Sequence, residues 1–293
     1  MKTLSILLAG LSAFSATAGA ALPKDQLGSP MFGYVGKQVF GENAVVRFDP
    51  RVKVDFPKIA ENQRSFPVQV DARGIPDVMR IVIFADMNPI QQSIDFTLAN
   101  AEPFIATRIK LDQRTPVRGA VQLKDGSWLV SGGWIDAAGG GCSAPPVSRV
   151  KGDWAQHLGE SRGRLWESAG AARIMLSFRH PMDTGFVDNI PAYYLEQIKV
   201  TSSGGSAIGT VHMQASVAED PVLTLMPKIK PGESVSFDGR DTNGIEYAGT
   251  LTAATVNAAV QGAGRRFTDE HSSAAAWRAL QQCRSWQPRF NMA

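Results

Sequence analysis

The sequence predicts an all-β protein: two immunoglobulin-like β-sandwich domains joined by a Gly/Pro-containing linker. Three observations carry this. Apolar residues alternate at a period of two in many short runs, as strands with one buried face do. Turn residues are abundant, with 28 Gly and 17 Pro in 293 residues. About seven short strand patterns fall within roughly 90 residues, the density a sandwich produces.

The N-terminus reads as an export signal over residues 1–20. Met1-Lys2 is a minimal positive region, Leu4 to Phe14 an apolar core, and Ala18-Gly19-Ala20 a small-x-small cleavage site. A soluble, periplasmic mature protein is expected. No later stretch approaches the ~20 apolar residues of a membrane span, so no membrane insertion is expected. With 30 basic against 27 acidic residues and no Lys/Arg run, no nucleic-acid partner is expected either.

The first domain is placed at 36–144. Val52 to Phe56, Val68 to Val70 and Ile94 to Leu98 alternate cleanly. Met79 to Ala85 is apolar except for Arg80 and rich in β-branched residues, which suits a central strand. Val117 to Leu123 and Trp128 to Ile135 flank Lys124-Asp125-Gly126-Ser127, a hairpin signal. The linker is placed at 145–172, with one short helix around Asp153–Leu158. The second domain is placed at 173–255, its strands starting near Arg173, Tyr193, Ala207, Leu223, Val235 and Tyr247. Residues 256–293 form a tail in which Ser272 would N-cap a helix from Ser273 to Cys283.

Cys142 is the candidate site residue. It follows Gly139, Gly140 and Gly141, a flexible arm with little bulk, and precedes Ser143-Ala144-Pro145-Pro146. A sulfur so presented can reach into a narrow site on another protein. Its reactivity requires thiolate, which Arg149 and Lys151 are close enough in sequence to favour. The alternative is a disulfide with Cys283, the default for two cysteines in an exported protein, although a triple-glycine arm is a poor place to hold disulfide geometry.

These residues carry a resemblance. The chain is similar to the SoxYZ sulfur carriers of thiosulfate-oxidising bacteria, with the two subunits fused. The first block resembles SoxY in Asn88-Pro89 after a hydrophobic strand, in Thr107-Arg108-Ile109, and in Gly140-Gly141-Cys142. The second resembles SoxZ in His180-Pro181-Met182-Asp183-Thr184-Gly185, Ile190-Pro191-Ala192 and Asp220-Pro221. A fused form of this family is associated with periplasmic quinoprotein alcohol dehydrogenases, and the chain resembles that branch. The resemblance implies a non-enzymatic carrier in which Cys142 is the covalent attachment point for a sulfur intermediate. Its partners would be periplasmic sulfur-oxidation enzymes or a quinoprotein dehydrogenase system, and the SoxZ-like partner is supplied in the same chain. His180 is expected to shape a loop. The family's arm ends its subunit, whereas here the chain continues through Pro145-Pro146, so the arm is tethered at both ends.

Other motifs lead nowhere. Gly159-Glu160-Ser161-Arg162-Gly163 matches a nucleophile elbow but lacks the hydrophobic strand before it that the elbow needs. The four histidines are too scattered for a metal-ligand spacing. Asp238 to Gly249 lacks both the third-position acid and the closing glutamate of a calcium loop. No catalytic residue, metal or cofactor is expected. The competing function is an accessory docking module of a quinoprotein dehydrogenase, with Cys142 structural or incidental.

Overall fold

The computed structural model describes residues 22–168 and 171–253. The segments expected to form an export signal and a terminal helix, and Cys283, lie outside them. In chain order the elements are α1 (Phe32–Phe40), β1 (Val46–Phe48), β2 (Lys53–Asp55), β3 (Phe66–Asp71), β4 (Val78–Ala85), β5 (Gln92–Leu98), β6 (Ala101–Ile109), β7 (Thr115–Leu123) and β8 (Trp128–Ile135). After the connection, which carries α2 (Val147–Lys151) and α3 (Trp154–His157), come β9 (Ser161–Ser168), β10 (Ala171–Phe178), β11 (Leu195–Ser202), β12 (Ala207–Met213), β13 (Val222–Pro227), β14 (Val235–Asp241) and β15 (Glu246–Leu251).

The chain forms two β-sandwich domains, and their sheets are continuous. One sheet has nine strands in the order β1-β8-β7-β4-β5-β12-β11-β14-β15; the other has six, β2-β3-β6-β13-β10-β9. The domains meet edge to edge in both layers. β12 pairs antiparallel with β5 from Gly209↔Leu98 to Met213↔Ile94, and β13 pairs with β6 from Thr224↔Ala106 to Pro227↔Ala101. Each domain thereby covers an edge of the other that would otherwise expose unpaired backbone groups. Gly209 is required at this junction, because a Cβ there would lie 2.6 Å from the Phe96 ring and 2.7 Å from the Thr97 carbonyl oxygen.

A single buried core runs between the layers through both domains, from Val52 and Ile105 to Leu176 and Leu251. A second apolar cluster lies on the outer face of the large sheet, where Phe32, Val35, Val39 and Phe40 of α1 cover Val82, Phe84, Ala120 and Trp128. That second layer explains why β4 is buried on both faces from Ile81 to Ala85. Beneath α1, Arg118 is fully buried, with its guanidinium on Asp86 at 2.9 Å and Asp25 at 2.8 Å and stacked 4.4 Å from the Phe32 ring.

The structure departs from the sequence reading in two places. That reading has no helix where α1 lies. β9 occupies part of the stretch assigned to the linker, because only Leu165 of Ser161–Glu167 is buried and an edge strand of that kind shows little hydrophobic pattern. Among the described residues no helix is long and apolar enough to cross a membrane.

Candidate functional site at the seam of the two domains

β8 ends at Ile135, and the chain turns back over the domain through Gly139 (φ 97°) and Gly140 (φ 81°). The glycine arm expected to be flexible is seated here, and the reason is close backbone contact. Gly141 N–H donates to the Leu111 carbonyl at 3.1 Å, while Leu111 N–H donates to the Gln63 carbonyl at 2.7 Å. The Gln63 side-chain amide donates to the Gly139 carbonyl at 2.9 Å. A Cβ on Gly141 would sit 2.3 Å from the Leu111 oxygen and 2.5 Å from the Gln63 oxygen, so glycine lets the arm lie flat.

Cys142 follows, a free thiol with no exposed surface. One carboxylate oxygen, Oδ1 of Asp112, accepts the Cys142 N–H at 3.0 Å, the Ser143 N–H at 3.2 Å and the Ser143 hydroxyl at 3.1 Å. Asn88 sets Asp112 in place by accepting its N–H at 3.0 Å and donating to the Lys110 carbonyl at 2.7 Å. From the second domain, the Thr184 hydroxyl donates to the Cys142 carbonyl at 2.5 Å. The thiol is therefore held at the seam, with residues of both domains gripping its backbone.

The His180–Gly185 segment forms the second domain's side of this grip. Met182 adopts a left-handed backbone (φ 52°), and its carbonyl accepts from the Lys110 ammonium. Asp183 takes the Arg149 guanidinium, which also lies 3.7 Å over the Trp154 ring. His180 Nδ1 accepts the Met182 N–H at 2.9 Å, and Asp220 Oδ1 accepts the His180 N–H at 3.1 Å. Its Nε2 faces Asp241 at 3.5 Å, whose Oδ2 accepts the Tyr193 hydroxyl at 2.6 Å. Burial holds His180 below the usual histidine range, with Asp241 pulling the other way. His180 thus shapes a loop, as expected from the sequence, and Asp220 stitches the loop to the strand after it.

Electrostatics here centre on a residue that sequence reading missed. Lys110 is 4% exposed, and its ammonium donates to the carbonyls of Met182 and Ala215, the latter at 2.8 Å. Burial lowers its pKa to about 8, partly offset by Cys142, Asp183 and Glu219. Burial also pushes the Cys142 thiol up to about 12; Lys110 opposes this and Asp112 adds to it. In the seated arm the thiol is protonated and inert. Arg149 and Lys151 do not supply the local cation: Arg149 is committed to Asp183, and Lys151 lines a 240 Å³ cleft with Arg64, Ser148, Arg179 and Glu219. In the structure the alternating burial of β6 ends at Ile109-Lys110-Leu111, where three successive residues are buried.

Ser161 begins an edge strand opposite Phe178, which is not a strand-to-helix elbow. Among the described residues no group of three or more His, Cys, Asp and Glu side chains is placed to hold a metal.

The architecture is that of two fused β-sandwiches with a buried thiol, Cys142, at their seam. Residues 36–142 match the family described as Sulfur oxidation protein SoxY, and residues 166–252 match Sulphur oxidation protein SoxZ. Together these cover about two thirds of the chain, and the first match ends on Cys142. The chain belongs to the SoxYZ sulfur-carrier family, with SoxY and SoxZ domains in one polypeptide. Among solved structures, the sulfur carrier protein SoxY from Chlorobium limicola f thiosulfatophilum is similar at 21% identity over 36% of this chain and 94% of that one, with a TM-score of 0.33. A marsupial T cell receptor aligns over 70% of this chain and 96% of its own, at 6% identity and a TM-score of 0.23. No curated protein matches the chain. The SoxY and SoxZ domains give the protein a carrier role in sulfur oxidation.

Proposed function

We propose that this chain is a periplasmic carrier that holds a sulfur-containing intermediate covalently on Cys142 and presents it to partner oxidation enzymes, without turnover of its own. The observation that carries the reading is the convergence on one cysteine of residues far apart in sequence. Asn88, Asp112, Met182 and Thr184 all act on the Cys142 arm or on the lysine beside it.

The seated arm is the resting form. Neutral hydrogen bonds and one carboxylate hold it, each worth about 0.5–3 kcal/mol net. Lifting the arm returns Cys142 to water, where a thiol has a pKa near 8.5 and a reactive thiolate fraction at neutral pH. Export to the periplasm follows from the signal at residues 1–20, and the partners are sulfur-oxidation enzymes or a quinoprotein dehydrogenase system.

A second reading rests on the burial of the thiol, since structural buried cysteines are inert. In it the chain is a docking module of such a dehydrogenase. Cys142→Ser in the producing cell separates the two. Loss of the associated oxidation with a folded protein supports the carrier, whereas undiminished oxidation supports the module.

A further inference from the structure

Lys110 is a buried cation that has no ion pair among the described residues. A buried ammonium is costly unless a counter-charge sits beside it. Its two acceptors are neutral carbonyls, and no carboxylate among the described residues lies within ion-pair distance of its Nζ. The nearest acids are already engaged. Asp183 is bound by Arg149, and the Glu219 carboxylate accepts the Val147 and Ser148 N–H groups at 2.7 Å each. Cys142 lies beside this lysine: the preceding Gly141 N–H donates to the carbonyl of Leu111, the residue after Lys110, at 3.1 Å, and Thr184, two residues past the Met182 carbonyl that Lys110 binds, donates to the Cys142 carbonyl. Its sulfur can become an anion.

We propose that Lys110 is the internal counter-ion of the loaded carrier, so that the seated arm favours a cargo ending in negative charge, such as a persulfide or a sulfonate-terminated sulfur chain, over a neutral one. This rests on Cys142 being the attachment point. With the arm empty, no carboxylate among the described residues lies within ion-pair distance of the Lys110 ammonium, whose two acceptors are neutral carbonyls. An anionic sulfur on Cys142 supplies the missing charge in a low-dielectric site, where such a pair is far stronger than in water. Lys110 acts as a positioning residue: it makes no bond to the cargo and changes how long the loaded arm stays down. Partner enzymes that remove the charge would thereby also release the arm.

The test uses two disulfide-linked adducts that differ in terminal charge, in a Cys283→Ser background. Tetrathionate and the Cys142 thiolate give Cys142–S–S–SO3⁻ and release thiosulfate. Methyl methanethiosulfonate gives Cys142–S–S–CH3 and releases methanesulfinate. Each is installed during refolding and mapped by mass, and the rate at which dithiothreitol strips it is measured with Lys110 and in Lys110→Met. The expected result is that Lys110→Met speeds loss of the sulfonate adduct about tenfold or more, the scale of one close charge pair, and alters the methyl adduct by no more than about twofold. Equal effects on the two adducts would overturn the proposal. So would a lower melting temperature for the sulfonate adduct than for the methyl adduct in the Lys110 protein, a comparison that needs no variant at that site. Adding both reagents to the folded protein tests the carrier reading separately, since failure of either to reach Cys142 would count against attachment rather than against Lys110.

Discussion

Thr184 in the second domain donates its hydroxyl hydrogen to the carbonyl of Cys142 at the end of the first, over 2.5 Å. The contact between the SoxY and SoxZ domains thus closes on the backbone of the thiol-bearing residue. Thr184→Val removes this bond while keeping the side chain's shape. One net hydrogen bond is worth about 1 kcal/mol, so the arm should lift roughly three to ten times more often. Alkylation of Cys142 by iodoacetamide should accelerate by that factor; an unchanged rate would mean that Thr184 does not hold the arm.

Gly141→Ala should act more strongly. Its Cβ would meet two carbonyl oxygens at 2.3 and 2.5 Å, backbone atoms that cannot step aside as a flexible side chain can. The seated geometry is lost while the two sandwiches, which do not depend on the arm, stay folded. Alkylation should then approach the rate of an exposed thiol, with the melting temperature little changed. A protected thiol in this variant would contradict the packing described.

Lys110 and Cys142 make opposite contributions to stability in alkali. The lysine falls from 10.5 to about 8 on burial. Between those values the unfolded chain keeps a proton that the native lysine has lost, so stability rises with pH. The thiol rises from 9.0 to about 12, so across that window the native chain keeps the proton and stability falls as pH rises. At most, the effects amount to about 3 kcal/mol for the lysine and about 4 kcal/mol for the thiol. Urea unfolding from pH 8 to 10.5 should show Cys142→Ser gaining stability with pH more steeply than the parent, and Lys110→Met losing it above pH 9. Parallel profiles for all three proteins would refute the assignment.

Arg118→Met should destabilise the first domain by about 3–5 kcal/mol, because it leaves a buried carboxylate without its partner. Arg118 and Asp86 are both fully buried, 2.9 Å apart, and burial already pushes the Asp86 carboxyl up despite Arg118. Denaturant melts of Arg118→Met and of Arg118→Met/Asp86→Leu distinguish lost charge pairing from lost packing. The double variant should recover much of the loss.

Much of the fold was legible because many strands bury one face against the core, which writes a period of two into Phe66 to Asp71 and Ile94 to Leu98. β9 was not, since an edge strand with one buried residue carries almost no period. Nor was α1, whose apolar face packs on the outside of a sheet already read as complete. The site was half legible. Gly-Gly-Cys and the His180–Gly185 segment stand out as motifs, but what joins them does not. Gly139 to Gly141 read as freedom because glycine permits many conformations; the same missing Cβ also permits the closest backbone approach, and here that governs. Lys110 was hidden because a lone lysine at a strand end looks like a solvated charge until the second domain closes over it.

The account stands on Cys142 as the point of attachment, and the mass of the intact protein from its own cells tests that most directly, taken before and after reduction and then mapped. The account predicts an added group on Cys142 that reductant removes. A Cys142 that bears only its hydrogen in cells actively oxidising sulfur compounds, or one joined to Cys283, would contradict it.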